Sequence, residues 1–414
     1  MENEFTFQSV GHGLFYTGSL SDGEYNFVYD CGEKGKEHLE KAIENYMINA
    51  KDIDFLVVSH LHEDHVCGVY YLKEKLKQEH KKIKKIYLPY MYDRLIIKLA
   101  IVHILMTGQK QRRNFLEILY WWISLLDDNK SNYDQDDYKP EVVIVGEKKF
   151  DKEQSIGIEK FHFLKEGKLY WHFKMFNKIK KTKKEQIDIV AIKKDIKNIL
   201  NDKEIEDCFY SESYWSELQK IYEKYFSDIN NSSTILIHYP ANNSVSFVSK
   251  GYRYFRCCLH NRCFDRYLHN RLLRYSSCYL YNRLLRCLDR YLHNRLLRYS
   301  DYYLYNRLFN EHPVITILTG DAKFDEDMLS KMRYIVNNIP NQKYGTKIFQ
   351  VPHHGSSDNW KSMKSAKFSF DIYVISSKYE DEKHPDREML SELRSERKHI
   401  RLVTQFVEYF YGAE

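Results

Sequence analysis

The sequence has no apolar run long enough to cross a bilayer. Its greasiest stretch, Leu95 to Met106, is interrupted by Lys98 and falls short of the ~20 residues that a spanning helix needs. The first residues, Met-Glu-Asn-Glu-Phe, lack the basic and apolar regions of a signal peptide, which argues against secretion. Paired CxxC motifs are missing too. Of the eight cysteines, Cys31, Cys67 and Cys208 are scattered, while Cys257, Cys258, Cys263, Cys278 and Cys287 crowd into one segment. That pattern speaks against a disulfide framework and against a paired-cysteine zinc site. A reduced, cytoplasmic setting is expected.

An excess of basic charge is absent from most of the chain. The net charge is +6 over 414 residues, but residues 251–310 hold 12 arginines, no lysine and 3 aspartates, a local balance of +9. Elsewhere 52 basic residues face 55 acidic ones, a balance of −3. Outside that segment the chain is therefore no polycation of the nucleic-acid-binding kind. With 43% hydrophobic and 29% charged residues, it reads as soluble and globular, with two or three domains or one enlarged by insertions.

The odd segment is a tandem repeat. Tyr-Leu-His-Asn-Arg-Leu-Leu-Arg at 267–274 returns as Tyr-Leu-Tyr-Asn-Arg-Leu-Leu-Arg at 279–286, unchanged at 291–298 and, decayed, at 303–308, with Asn270, Asn282, Asn294 and Asn306 stepping by twelve. Twelve residues are too few for the supersecondary unit of a solenoid. An expanded insertion in a surface loop is expected, since loop length costs little entropy. The other reading is an Arg/Tyr surface for phosphates and stacked bases. The repeat follows strand-like Thr234–His238 and Val245–Val248 and precedes Val314–Leu318, so it is expected between neighbouring strands of one sheet.

The rest alternates. Residues 1–90 read as strands (Phe5–Val10, Asn26–Asp30, Phe55–Ser59, Lys85–Leu88) and helices (Glu37–Tyr46, Val69–Gln78). Residues 91–230 are richer in helical periodicity (Leu95–Met106, Phe115–Leu126, Gln186–Leu200, Ser213–Tyr225), with a short strand pair near Val142–Val145 and Leu169–Phe173. Residues 311–414 return to alternation, and the class is α/β.

The decisive residues are Ser59-His60-Leu61-His62-Glu63-Asp64-His65. They follow the apolar strand Phe55-Leu-Val-Val58, which puts them on a loop at a strand's C-terminal end, where open α/β sheets build ligand sites. His60 and His62 alternate and can aim two imidazoles at one cation. Asp64 and His65 add an oxygen and a nitrogen for a second. Such mixed donors suit zinc, manganese or iron, and two ions together can hold a bridging hydroxide.

This His-x-His-x-Asp-His motif resembles that of the metallo-β-lactamase superfamily, an αββα sandwich. Further motifs are similar, in the same order. Tyr29-Asp30-Cys31-Gly32 resembles the turn that buttresses the metal loop, and Ile317-Leu-Thr-Gly-Asp321-Ala the strand ending in the bridging aspartate. Pro352-His353-His354-Gly355-Ser356 resembles the late histidine motif, and His384-Pro385 a terminal element. Val10-Gly11-His12-Gly13 and Asn231-Ser232-Ser233 narrow the resemblance to the ComEC-like branch, which includes bacterial phosphodiesterases. The matching pieces are 1–90, 231–250 and 311–414. Residues 91–230 then form a mainly helical insertion, and 251–310 the repeat insertion.

The resemblance implies a binuclear metal-dependent hydrolase, a phosphodiesterase or nuclease, with two divalent cations, zinc first and manganese or iron as alternatives. His60, His62 and Asp321 would hold one ion; Asp64, His65, Asp321 and His354 the other. Loss of Asp64 should abolish turnover. His384 or His353 would donate a proton to the leaving group, and Asp30 would fix the loop. His12, where the branch often has glutamine, would orient substrate or cap a turn. Asn231-Ser232-Ser233 stands where many superfamily members carry a histidine ligand. A phosphodiester, nucleic acid included, is the expected partner. Other readings are a hydrolase of a small ester, thioester or lipid-headgroup diester, and a non-enzymatic interaction protein.

Overall fold

Strand patterning here reflects which side of each strand meets the interior. In β1 (Asn3–Phe7), Phe5 and Phe7 are fully buried while Glu4 is exposed and Thr6 half-buried, the period-2 signature of a strand with one inner face. β4 (Phe55–Val57) is apolar on both sides, because Phe55 and Val57 face a second sheet while Leu56 and neighbouring Val58 face helices. The computed structural model describes residues 2–34, 37–91, 94–108, 115–127, 138–145, 156–178, 189–200, 208–225, 233–241, 247–254, 314–324, 326–339, 345–364, 370–379, 381, 383–396 and 398–413.

Two mixed sheets pack face to face. The first runs in the order β10 (Phe247–Tyr254), β15 (Val407–Ala413), β1, β2 (Phe15–Leu20), β3 (Tyr25–Cys31), β4, β5 (Lys85–Leu88), β6 (Glu141–Ile144). The second runs β14 (His399–Val403), β13 (Ile372–Ser376), β12 (Thr346–Gln350), β11 (Val314–Leu318), β9 (Ile235–Pro240), β8 (Lys168–Lys178), β7 (Ile156–Lys165). Phe5, Phe27, Phe55, Tyr409 and Tyr411 from one sheet meet Trp171, Phe173, Leu236, Leu318 and Val374 from the other. A chain of hydrogen bonds crosses this aromatic core. Trp171 Nε1 donates to His238 Nδ1 (3.2 Å), whose Nε2 lies 2.8 Å from the Tyr16 hydroxyl; Tyr411 and Thr316 continue the chain at 2.7 and 2.6 Å. Burial holds His238 neutral, its pKa lowered to about 3. Trp171, His238, Tyr16, Tyr411 and Thr316 thereby satisfy one another without a charge among them.

Helices cover both outer faces. α1 (Glu37–Met47), the short α2 (Glu63–Val66), α3 (Val69–Gln78), α4 (Arg94–Gly108), α5 (Phe115–Leu126), α6 (Ile189–Leu200) and α7 (Glu212–Tyr225) share a core with the outer side of the first sheet. On the second sheet, α8 (Glu326–Asn337), α9 (Ser357–Lys364) and α10 (Arg387–Ser395) bury Met332, Trp360, Met389 and Leu393 against Ile237, Ile317, Phe349 and Ile375. The expected helix–sheet–sheet–helix sandwich is the observed architecture.

Three local expectations change. The segments near Val142–Val145 and Leu169–Phe173 form strands but do not pair with each other: β6 pairs with β5 in one sheet, and β8 with β7 and β9 in the other. Among the described residues, the stretch 91–230 thus supplies strands to both sheets besides four helices. β9 and β11 are antiparallel neighbours, but β10, which lies between them in sequence, leaves their sheet and pairs with β15 at the edge of the other. Alternation marks a strand but carries no information about its partner. β2, not expected from the sequence, closes a meander between β1 and β3. Residues 251–254 of the repeat segment lie in β10, and the remainder of the repeat lies outside the described residues.

Candidate metal centre

Parallel pairing brings distant loops to one edge. β3, β4 and β5 run parallel in the first sheet, and β11, β12 and β13 in the second. Their C-terminal ends carry Asp30, the loop Ser59–His65, Asp321, His353–His354 and His384. The turn between β1 and β2 adds His12. Gly32 lets the chain pass this close: a Cβ there would lie 2.3 Å from the His65 nitrogen and 2.4 Å from the Asp64 carbonyl carbon.

The sequence-named residues converge. His60 Nε2 lies 3.0 Å from His62 Nδ1 and 3.5 Å from Asp321 Oδ2. His65 Nε2 is 3.2 Å from Asp321 Oδ1 and 4.0 Å from Asp64 Oδ2. His354 Nε2 is 3.1 Å from Asp64 Oδ2. Two groups of donor atoms, each within 4.8 Å, stand out among the described residues: His60, His65 and Asp321, and His12, Asp64 and His354. His353 lies farther out, 34% exposed, with Nδ1 3.7 Å from Asp321 Oδ2. The His384 ring is centred 5.8 Å from that of His12 and 5.7 Å from that of His353. Asn231 and Ser232 lie outside the described residues, while Ser233 Oγ accepts from the Asp321 amide at 3.2 Å.

Each buried imidazole is tied to its surroundings at Nδ1 and turns Nε2 into the cluster. The Asp30 carboxylate accepts from the Ser59 amide and hydroxyl, both at 2.6 Å, and from His65 Nδ1 at 2.7 Å. Because the Ser59 hydroxyl proton goes to Asp30, Ser59 Oγ accepts from His60 Nδ1 at 3.0 Å. His354 Nδ1 donates to the Ser376 carbonyl at 2.9 Å. The Nε2 lone pairs of His60, His65 and His354 then face the carboxylates of Asp321 and Asp64. His65 Nε2 and Asp321 Oδ1 are both buried without a hydrogen-bond partner. Acceptor facing acceptor in a buried place is repulsive unless a proton or a cation lies between them, and imidazole oriented by an outer carboxylate or carbonyl is the usual arrangement of a metal ligand. The residues fit divalent cations, with donors that suit zinc, manganese or iron.

Titration follows from the same crowding. Burial pushes His12 down to about 4 and His62 down to about 3, helped by His354 and His60 respectively. Burial would also lower His65 and His354, but facing carboxylates, Asp321 and Asp30 at His65 and Asp64 and Asp321 at His354, hold both above the ordinary histidine range. Burial would raise Asp64 and Asp321, yet the facing histidines hold them below the usual carboxylate range. Asp30, His353 and His354 all have positive φ, 57°, 48° and 52°, a costly region for residues other than glycine and one concentrated at functional sites.

Sequence reasoning missed three supports. Ser59 stood inside the motif and could have been read as the link between Asp30 and His60. Gln350, whose Oε1 accepts from the amides of Thr319 and Gly320 at 2.7 and 2.8 Å, shapes the turn before Asp321. Asp381, which accepts from His12 Nδ1 at 3.1 Å, sits 369 residues away with no local motif to mark it.

Residues 18–144 match the family profile described as Metallo-beta-lactamase superfamily. No curated protein sequence matches the chain. Among solved structures, the chain is similar to the metallo-β-lactamase fold protein YhfI from Bacillus subtilis, with 11% identity and a TM-score of 0.21 over 42% of this chain and 58% of that one. It is also similar to a long form RNase Z from yeast, with 10% identity and a TM-score of 0.31 over 98% of this chain and 41% of that one. The chain spans less than two thirds of the length of either. The family match covers less than half of the chain and includes the loop that carries His60 to His65.

Proposed function

We propose that the chain is a binuclear metal-dependent hydrolase of phosphodiester bonds. The observation that carries this reading is the ring of imidazoles, oriented through Nδ1, whose Nε2 atoms face Asp64 and Asp321. His60, His62 and Asp321 would hold one cation, and Asp64, His65 and His354, with Asp321 shared, the other. Divalent cations in such a site activate water at neutral pH and stabilise charge on a phosphoryl oxygen. The chain's own groups do the rest. Asp30 and Ser59 keep His65 and His60 in the required tautomer. His384 and His353 flank the cluster and are the groups suited to giving a proton to the leaving alkoxide.

The phosphodiester class rests on the ComEC-like motifs around His12 and His354 and is an argument by analogy. The balance of −3 outside the repeat favours a small diester over a nucleic acid as the second reading, because phosphate neutralisation dominates nucleic-acid affinity. The test is hydrolysis of an aryl phosphodiester, an aryl acetate and single-stranded DNA by the full chain, after chelation and after adding back zinc or manganese. Asp64→Ala is run alongside. Metal-dependent cleavage of the phosphodiester, reduced to background in the variant, is the expected result. Cleavage of the acetate alone would replace phosphodiester with carboxylic-ester chemistry. Folded, metal-loaded protein that cleaves none of the three would overturn the enzymatic reading.

A further inference from the structure

We propose, building on the metal-centre reading above, that His12 is a ligand of the cation held by Asp64 and His354, and that Asp381 orients it for that task. His12 lies in the turn between β1 and β2, far in sequence from every other candidate ligand. Its Nδ1 is 3.1 Å from Asp381 Oδ2 and its Nε2 is 4.0 Å from Asp64 Oδ2. Its ring is centred 4.2 Å from that of His354. The Asp381 carboxylate has only lone pairs to offer, so Nδ1 carries the hydrogen and Nε2 faces Asp64 as a second acceptor. Two acceptors 4.0 Å apart make no hydrogen bond, but they are within reach of one shared ion, whose bonds to nitrogen and oxygen are each ~2 Å long. His354 repeats the arrangement, with Nδ1 given to the Ser376 carbonyl and Nε2 turned to the same Asp64 oxygen.

The surrounding chain holds His12 in place without using its side chain for a turn. The His12 carbonyl accepts from the Lys34 amide at 2.7 Å, and the Leu14 amide donates to the Asp64 carbonyl at 3.2 Å. A Cβ on Gly13 would lie 2.1 Å from the Gly32 carbonyl oxygen, so the turn is docked directly on the backbone that supports the metal loop. Gly11 has φ +72°, which makes the bend that turns His12 inward. Asp381 is itself fixed, because its other oxygen accepts from the amides of Lys383 and His384 at 2.8 and 3.2 Å. A turn-capping histidine would bond within its own loop; this one bonds to a carboxylate from the opposite end of the chain. Asp381 therefore couples the cation's ligand set to the backbone on which His384 sits.

The experiment is a Co²⁺ titration of the metal-depleted full chain, followed by visible absorption and by the number of ions retained on equilibrium dialysis. Wild type is expected to take up two ions. His12→Ala should keep one as in wild type and bind the other at least ~10-fold more weakly, with an altered spectrum. Asp381→Asn should weaken the same ion ~10- to 100-fold, the usual cost of losing the group that orients a metal-bound histidine. Its amide oxygen can still accept from Lys383 and His384, so the loop stays formed. Should His12→Ala fail to fold by far-UV circular dichroism, Asp381→Asn decides the matter. Variants that bind two ions with wild-type affinity and spectrum would overturn the role of His12 while leaving the metal centre standing. A wild-type chain that takes up no Co²⁺ would overturn both.

Discussion

His65 shows how the site's chemistry reduces to single atoms. With Nδ1 committed to Asp30 at 2.7 Å, only Nε2 is left to meet Asp321 and Asp64. Without a cation, the carboxylates are relieved by protons, which is why His65 and His354 stand above the ordinary histidine range. A cation needs both imidazoles neutral and so must displace those protons. The sign is definite: groups with raised values hold their protons to higher pH, so cation affinity falls as pH drops through those values. Isothermal titration with zinc at pH 8 and at pH 5.5, in buffers of different ionisation enthalpy, should show weaker binding and proton release on loading. Affinity independent of pH would mean that the imidazole nitrogens are not the donors. At this scale much was readable in advance. His60, His62, Asp64 and His65 fall within one six-residue stretch, and a short apolar strand before them sets their position. Asp381 was not readable, since a lone aspartate in a charged stretch carries no local sign of its partner.

At the level of elements, the helices on the first sheet hold a buried ion pair. Lys98 interrupts an otherwise apolar α4, and its ammonium pairs with Asp127 just past the end of α5, which also accepts from the Tyr210 hydroxyl. Both side chains are under a tenth exposed. Removing one partner strands the other charge away from water, a loss of about 3–5 kcal/mol. Asp127→Ala should lose stability of that order in chemical denaturation, and Lys98→Met combined with Asp127→Leu should recover most of it. A loss below about 1 kcal/mol would show that the ammonium escapes to solvent. The sequence displayed the anomaly, a lysine in the greasiest stretch, but hid its cause, because the partner is 29 residues away. Strands show the same division. β5, β11 and α3 begin and end where periodicity puts them, whereas β2 escaped notice because Phe15-Tyr-Thr-Gly-Ser-Leu20 does not alternate.

For the whole molecule, the donors come from both halves of the sandwich: His60 to His65 follow β4 in one sheet, while Asp321 and His354 follow β11 and β12 in the other. On the proposed ligand set, a bound cation would tie the two sheets together in the folded state only. Adding zinc or manganese at ~100 times its dissociation constant should stabilise the chain by about 2.7 kcal/mol per site. Thermal unfolding with chelator and with metal measures this, and Asp64→Ala should shrink the gain. An unchanged transition in wild type would show that the ion does not join the halves. Local pattern alone determined that the chain is α/β, that residues 59–65 lie at a strand end, and where most of the described strands and helices lie. Those features depend on side-chain periodicity and on neighbours a few residues apart. The tertiary structure decided which sheet β6, β8 and β10 join, that His12 meets Asp381, and that Lys98 finds Asp127. Such pairings depend on how the chain crosses between layers, and no contiguous stretch of residues encodes that.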